Sequence, residues 1–71
     1  MIKVTVRRNI ADPPPGKRID INLQEDTFTT FLNKCSLELK IDAKKIYDTS
    51  GNGIFMLPDL TNNEIYYVSE V

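Results

Sequence analysis

The stretch Lys17-Arg18-Ile19-Asp20-Ile21-Asn22-Leu23-Gln24-Glu25-Asp26-Thr27-Phe28-Thr29-Thr30-Phe31-Leu32-Asn33-Lys34-Cys35-Ser36-Leu37-Glu38-Leu39 contains two apolar periods. Ile19, Ile21 and Leu23 fall two apart, whereas Phe28, Phe31, Leu32, Cys35 and Leu39 recur at three and four. A strand buries every second side chain and a helix buries one stripe. The stretch therefore predicts a strand over 17–23 followed by a helix. The helix should begin after Asp26 or Thr27, whose oxygens can accept from its first amides, and run to Leu39 or Lys40.

Upstream, Ile2, Val4 and Val6 alternate with Lys3, Thr5 and Arg7, predicting a strand over 2–8. The loop 9–16 contains Pro13, Pro14 and Pro15. Consecutive prolines cannot sit in a ladder and favour extended geometry, which makes this run a stiff connector. Downstream, the pattern predicts a strand at 45–47 and a turn at 48–53, where Gly51 and Gly53 can take positive φ. A short strand at 54–56 follows, then a single turn at 57–60 that plugs the core with Leu60. Residues 61–64 turn again into a last strand at 65–68. Alternation from Ile65 sends Tyr67 inward, and Tyr66 and Val68 outward; Ile46, Ile54 and Met56 also fall on inward positions. A sheet needs one face covered, and one helix is available. The expected fold is α+β: a ubiquitin-like β-grasp in the order β-β-α-β-β-β, with a mixed sheet of four or five strands packed on one helix.

Seventy-one residues make one domain, 1–71, near the lower limit for folding alone. A deep substrate cleft would remove core that such a domain cannot spare. The single cysteine, Cys35, lies on the helix's apolar stripe, so no internal disulfide forms and a reducing compartment is expected. No apolar run approaches the ~20 residues that span a bilayer, and the alternating start is unlike a signal peptide. The expected location is cytoplasmic, without membrane attachment.

Histidine is absent, which removes the commonest general base at neutral pH and the commonest zinc ligand. No glycine-rich phosphate loop is present. No catalytic residue, no cofactor, no bound metal and no small-molecule substrate are expected. One pattern offers a reading of another class. Asp48, Ser50, Asn52, Gly53, Phe55 and Asp59 fit positions 1, 3, 5, 6, 8 and 12 of an EF-hand calcium loop. Against it stand Asp59 in place of the longer bidentate Glu, Met56 at position 9, and a tail that reads as strand. A glycine-rich β-turn is the preferred reading.

The net charge of −1 hides an asymmetry. Lys3, Arg7, Arg8, Lys17 and Arg18 crowd the first hairpin against Asp12 alone, and the remainder is acidic. Such a basic edge steers acidic partners. Aromatic residues do not interleave with it, so nucleic acid is not the expected partner.

With these residues laid out, the chain resembles a doublecortin-type β-grasp domain and is similar to the KHA domain of plant potassium channels. The opening KVTVRRN, residues 3–9, resembles the doublecortin first strand ending in Arg-Asn. Lys45-Ile46-Tyr47-Asp48-Thr49-Ser50-Gly51 resembles that family's strand into a glycine turn, and 57–60 with 62–68 resemble its Leu-rich turn and Tyr-Val strand. The resemblance implies a non-catalytic protein–protein interaction module within a larger protein. Its partner would be an acidic protein, tubulin in the microtubule-binding members, or another copy of itself. The chain ends Ser69-Glu70-Val71 rather than in a Gly-Gly tail, so conjugation is not expected. The expected partner-binding residues lie on the basic hairpin and the last strand: Lys3, Thr5, Arg7, Arg8, Lys17, Arg18, Tyr66 and Val68.

Overall fold

The computed structural model describes residues 1–13 and 15–71. The chain runs β1 (Ile2–Arg8), β2 (Lys17–Ile21), α1 (Phe28–Leu39), β3 (Lys45–Tyr47), β4 (Gly53–Ile54), a 3-10 turn (Leu57–Asp59) and β5 (Ile65–Ser69). The five strands form one mixed sheet in the order β2-β1-β5-β3-β4, with α1 packed on one face. β1 and β5 are parallel neighbours, and the other pairings are antiparallel. This is the β-grasp-like α+β fold that the two apolar periods predict.

Local chemistry sets the helix ends. Thr27 Oγ1 accepts the Thr30 amide hydrogen at 3.2 Å, and Thr30 Oγ1 accepts that of Thr27 at 2.9 Å. This reciprocal box satisfies donors that the first turn leaves open. Lys40 closes the other end in the left-handed region, φ 57°, its amide donating to the Ser36 carbonyl. The helix buries Phe31 and Cys35 fully and Phe28, Leu32 and Leu39 in part. These meet Val4, Val6, Ile19, Ile21, Ile46, Ile54, Leu57, Leu60, Tyr66 and Val68 in one core. A fully buried Phe31 or Ile21 contributes about 1.5–3 kcal/mol of transfer energy.

Several expectations change. β2 ends at Ile21, because the Asn22 amide donates to the Asp26 carboxylate at 2.8 Å and turns the chain toward the helix. Leu23 therefore lies exposed in that turn. β4 is only Gly53–Ile54, so Met56 is exposed and Leu57 is the residue that plugs the core together with Leu60. Gly51 takes a positive φ of 88°, whereas Gly53 continues into β4 without one. The connector expected at Pro13, Pro14 and Pro15 includes Pro14, which lies outside the described residues.

The largest correction concerns β5. Tyr66 and Val68 face the core, while Ile65 is exposed and Tyr67 half-buried on the opposite face. The register explains it: Tyr66 lies beside Val6, and Val68 beside Ile46. Neighbouring residues in a ladder share a face, so strands already committed to the core fix β5. The buried phenol is tolerated because Tyr66 Oη accepts the Thr61 amide hydrogen at 2.7 Å.

Candidate functional site

Among the described residues, no helix covers the sheet face opposite α1. β1 places Lys3, Thr5 and Arg7 there, and the register sets Asp20 beside Lys3 and Arg18 beside Thr5. On the other side of β1, Ile65 lies beside Thr5 and Tyr67 beside Arg7. β3 continues the row with Tyr47 beside Tyr67, and β4 adds Gly53 beside Tyr47. Phe55 folds its ring back over Gly53, where an added Cβ would meet its Cζ at 2.9 Å. Arg7, Tyr67, Tyr47 and Phe55 thus form one cation-and-aromatic row across the open face, with Ile65 next to it.

Neighbouring groups hold the cations in place. Arg7 Nη2 donates to the Pro13 carbonyl at 3.1 Å, and Arg18 Nη2 to Asn63 Oδ1 at 3.2 Å. Asn63, at φ 69°, belongs to the turn that clasps β1: its amide donates to the Lys3 carbonyl at 2.7 Å, and Asn62 Oδ1 accepts the Lys3 amide hydrogen at 2.8 Å. The row ends in a hollow lined by Asn9, Tyr47, Asp48, Thr49, Gly51 and Tyr67.

Of the eight residues expected to bind a partner, the structure brings Lys3, Thr5, Arg7 and Arg18 together on this face. Tyr66 and Val68 are in the core, a correction with the register described above as its cause. Arg8 has the parity of Val4 and Val6, the helix side, and its guanidinium pairs with Glu70 at 3.4 Å. Lys17 lies beside Val6 and shares that parity. Tyr47, Phe55, Ile65 and Tyr67 were missed as surface residues. The Tyr66-Tyr67 doublet reads equally well in either register, so only its pairing with Val6 and Arg7 distinguishes the two tyrosines.

Residues 48–52 turn between antiparallel β3 and β4, and the segment to 59 continues as β4 and the 3-10 turn, so 48–59 is not a loop between two α-helices. Asp48 Oδ1 accepts the amide hydrogens of Ser50 and Asn52, each at 2.9 Å. The Asn52 bond leads in holding the Asp48 carboxyl below its ordinary range. Its oxygens are thus occupied by the turn itself. Among the described residues, no group of three or more Cys, Asp or Glu side chains is placed to hold a metal ion. Cys35 is buried, and that burial pushes its thiol up to about 12, leaving it protonated at neutral pH. No helix among the described residues is long and apolar enough to cross a membrane.

No family model matches this chain, and no curated protein matches it in sequence.

Proposed function

We propose that the domain is a non-catalytic protein–protein interaction module of the doublecortin- and KHA-like β-grasp type, working through its open sheet face as part of a larger cytoplasmic protein. The row Arg7–Tyr67–Tyr47, backed by Ile65 and Phe55, carries this reading. Tyrosine and arginine are the side chains that most often anchor interfaces, and here rigid strands hold them. Lys3, Arg7 and Arg18 make the same face attractive to an acidic partner, and a tubulin surface is the one the resemblance implies.

A photo-reactive amino acid at position 67, compared with one at position 33 on the exposed helix face, tests the assignment in cells that express the protein. The expected result is partner cross-linking from position 67 only. Against the captured partner, Tyr67→Ala should raise the off-rate, and charge reversal of Arg7 and Arg18 should slow association and flatten its salt dependence. Cross-links from position 33 alone, or binding unchanged by Tyr67→Ala, would move the site off the sheet. Microtubule co-sedimentation of wild type and the charge-reversed variant tests the tubulin arm.

A further inference from the structure

We infer that the free edge of β2 pairs antiparallel with β2 of a second copy of this chain, joining two five-stranded sheets across a two-fold axis at Ile19. β2 is an outer strand of the sheet, and its far edge has no neighbour among the described strands. The hydrogen bonds of β1 show which β2 groups point outward. The Thr5 amide donates to the Glu64 carbonyl at 3.0 Å, the Lys3 carbonyl accepts from Asn63, and the Asn9 amide donates to the Val68 carbonyl at 2.8 Å. Lys3 and Thr5 of β1, and Asn9 just beyond it, bond on the β5 side, so Arg18 and Asp20, which lie opposite Thr5 and Lys3, aim their own N–H and C=O groups at the free edge. Independently, the Asp20 carbonyl accepts Lys34 Nζ at 3.0 Å, which places that oxygen on the edge. A carbonyl has two lone pairs, so Asp20 can still accept an incoming amide.

Charge selects both the occupant and the register. On the open face β2 presents Arg18 and Asp20, and the Asp20 carboxylate has no hydrogen bond or ion pair among the described residues. A dyad at Arg18 would set two arginines opposite each other, and one at Asp20 two carboxylates; like charges directly opposite destabilise a ladder. The dyad at Ile19 sets Arg18 opposite Asp20 twice, and each is a residue whose backbone groups face outward. Each such pair exchanges two backbone hydrogen bonds. The patch is therefore self-complementary, as an isologous interface requires.

The helix side has the same character. A hollow beside β2 is lined by Arg18, Ile19, Asp20, Lys34, Leu37 and Glu38, and Leu37 is 80% exposed. The dyad sets two such hollows next to each other, so that each Leu37 gains an apolar neighbour and Lys34 meets a surface that also carries Glu38. The other outer strand, β4, has two residues, so the pairing closes at a dimer.

Sedimentation equilibrium of the wild type and of two reciprocal variants tests this. The wild type should dimerise below about 1 mM, the weak end of specific association. Asp20→Arg and Arg18→Asp, each alone, place like charges opposite each other and should weaken the dimer by about tenfold or more. Mixed one to one they restore both pairs, so the mixture should dimerise as the wild type does, which also shows that both variants are folded. Tyr67→Ala, which alters the open face, should leave the dimer unchanged and so separates this inference from the function proposed above. A wild type that stays monomeric at about 1 mM, single variants that dimerise normally, or a mixture that fails to recover would each overturn it.

Discussion

Tyr66 Oη accepts the amide hydrogen of Thr61 at 2.7 Å, so a phenol inside the core holds the turn that follows the 3-10 segment. Tyr66 is a core residue and lies beside Val6 of β1 in the sheet. Tyr66→Phe should lower unfolding free energy by about 1 kcal/mol, the net value of one such bond. Tyr66→Ala should cost about 3–5 kcal/mol through the cavity it leaves. Urea unfolding of both variants measures the two terms. A Tyr67→Ala variant as unstable as Tyr66→Ala would reverse the register of β5.

Gly16 sits at the loop end of the β1–β2 hairpin, immediately before β2. A Cβ there would lie 2.5 Å from Thr5 Cγ2, 2.9 Å from Arg7 Cγ and 3.1 Å from the Val6 carbonyl oxygen. Thr5 is β-branched and fixed in a strand, so the clash cannot be relieved by a simple swing of its side chain. Gly16→Ala should destabilise by about 1–3 kcal/mol, as overpacking does. Gly53→Ala meets only the Phe55 ring, which is exposed and free to move, and should cost less.

Burial raises the Cys35 thiol from its ordinary value of 9.0 to about 12. The unfolded chain then releases its proton at lower pH than the folded one. The thiol's contribution to stability is complete below pH 9 and is lost as pH rises toward 12. Cys35→Ala should remove this part of the alkaline loss while lowering stability at neutral pH, because it opens a small cavity. Thiol reagents should react with the wild type at the rate of local or global opening.

Asp26 ties β2 to α1. Its carboxylate accepts from Lys34 Nζ at 2.7 Å and from the Asn22 amide at 2.8 Å. The Lys34 bond first, then the Asn22 bond, hold its pKa below the ordinary 3.8. A lowered carboxyl contributes stability above the unfolded value and loses it as pH falls through the folded one. Asp26→Asn should therefore be less stable than wild type at neutral pH, with the difference shrinking below pH 3.8. Thermal melts across that range check the sign.

The Asp48 carboxylate is used by the amides of Ser50 and Asn52. Asp48→Ala should loosen the turn between β3 and β4 by about 1 kcal/mol, the value of such local caps. Calcium at millimolar concentration should leave the melting temperature of the wild type unchanged. A rise that disappears in Asp48→Ala would show that the ion can outcompete those amides.

Much of the architecture was legible in local pattern. β1 at Ile2–Arg8, β3 at Lys45–Tyr47 and α1 from its Thr27 cap to Leu39 lie where alternation, stripe and capping oxygen place them. Those signals are carried by residues near one another in the chain. Leu23 and Met56 broke the pattern because hydrogen bonding ended their strands earlier than alternation implied. The cations Lys3, Arg7 and Arg18 were legible as surface, since they alternate with valine and isoleucine.

Which aromatic residues share that surface was decided only by tertiary structure. Ile65-Tyr66-Tyr67-Val68 is apolar at every position, so its sequence supports both faces equally. Pairing with β1, some sixty residues earlier, placed Tyr66 beside Val6 and Tyr67 beside Arg7. The period of a strand is local, but its phase is set by its neighbours. By itself, the sequence determined that a hairpin, a helix and short strands would build one small sheet. The long-range ladder decided that Tyr67 would lie beside Arg7, and Tyr47 beside Tyr67, on its open face.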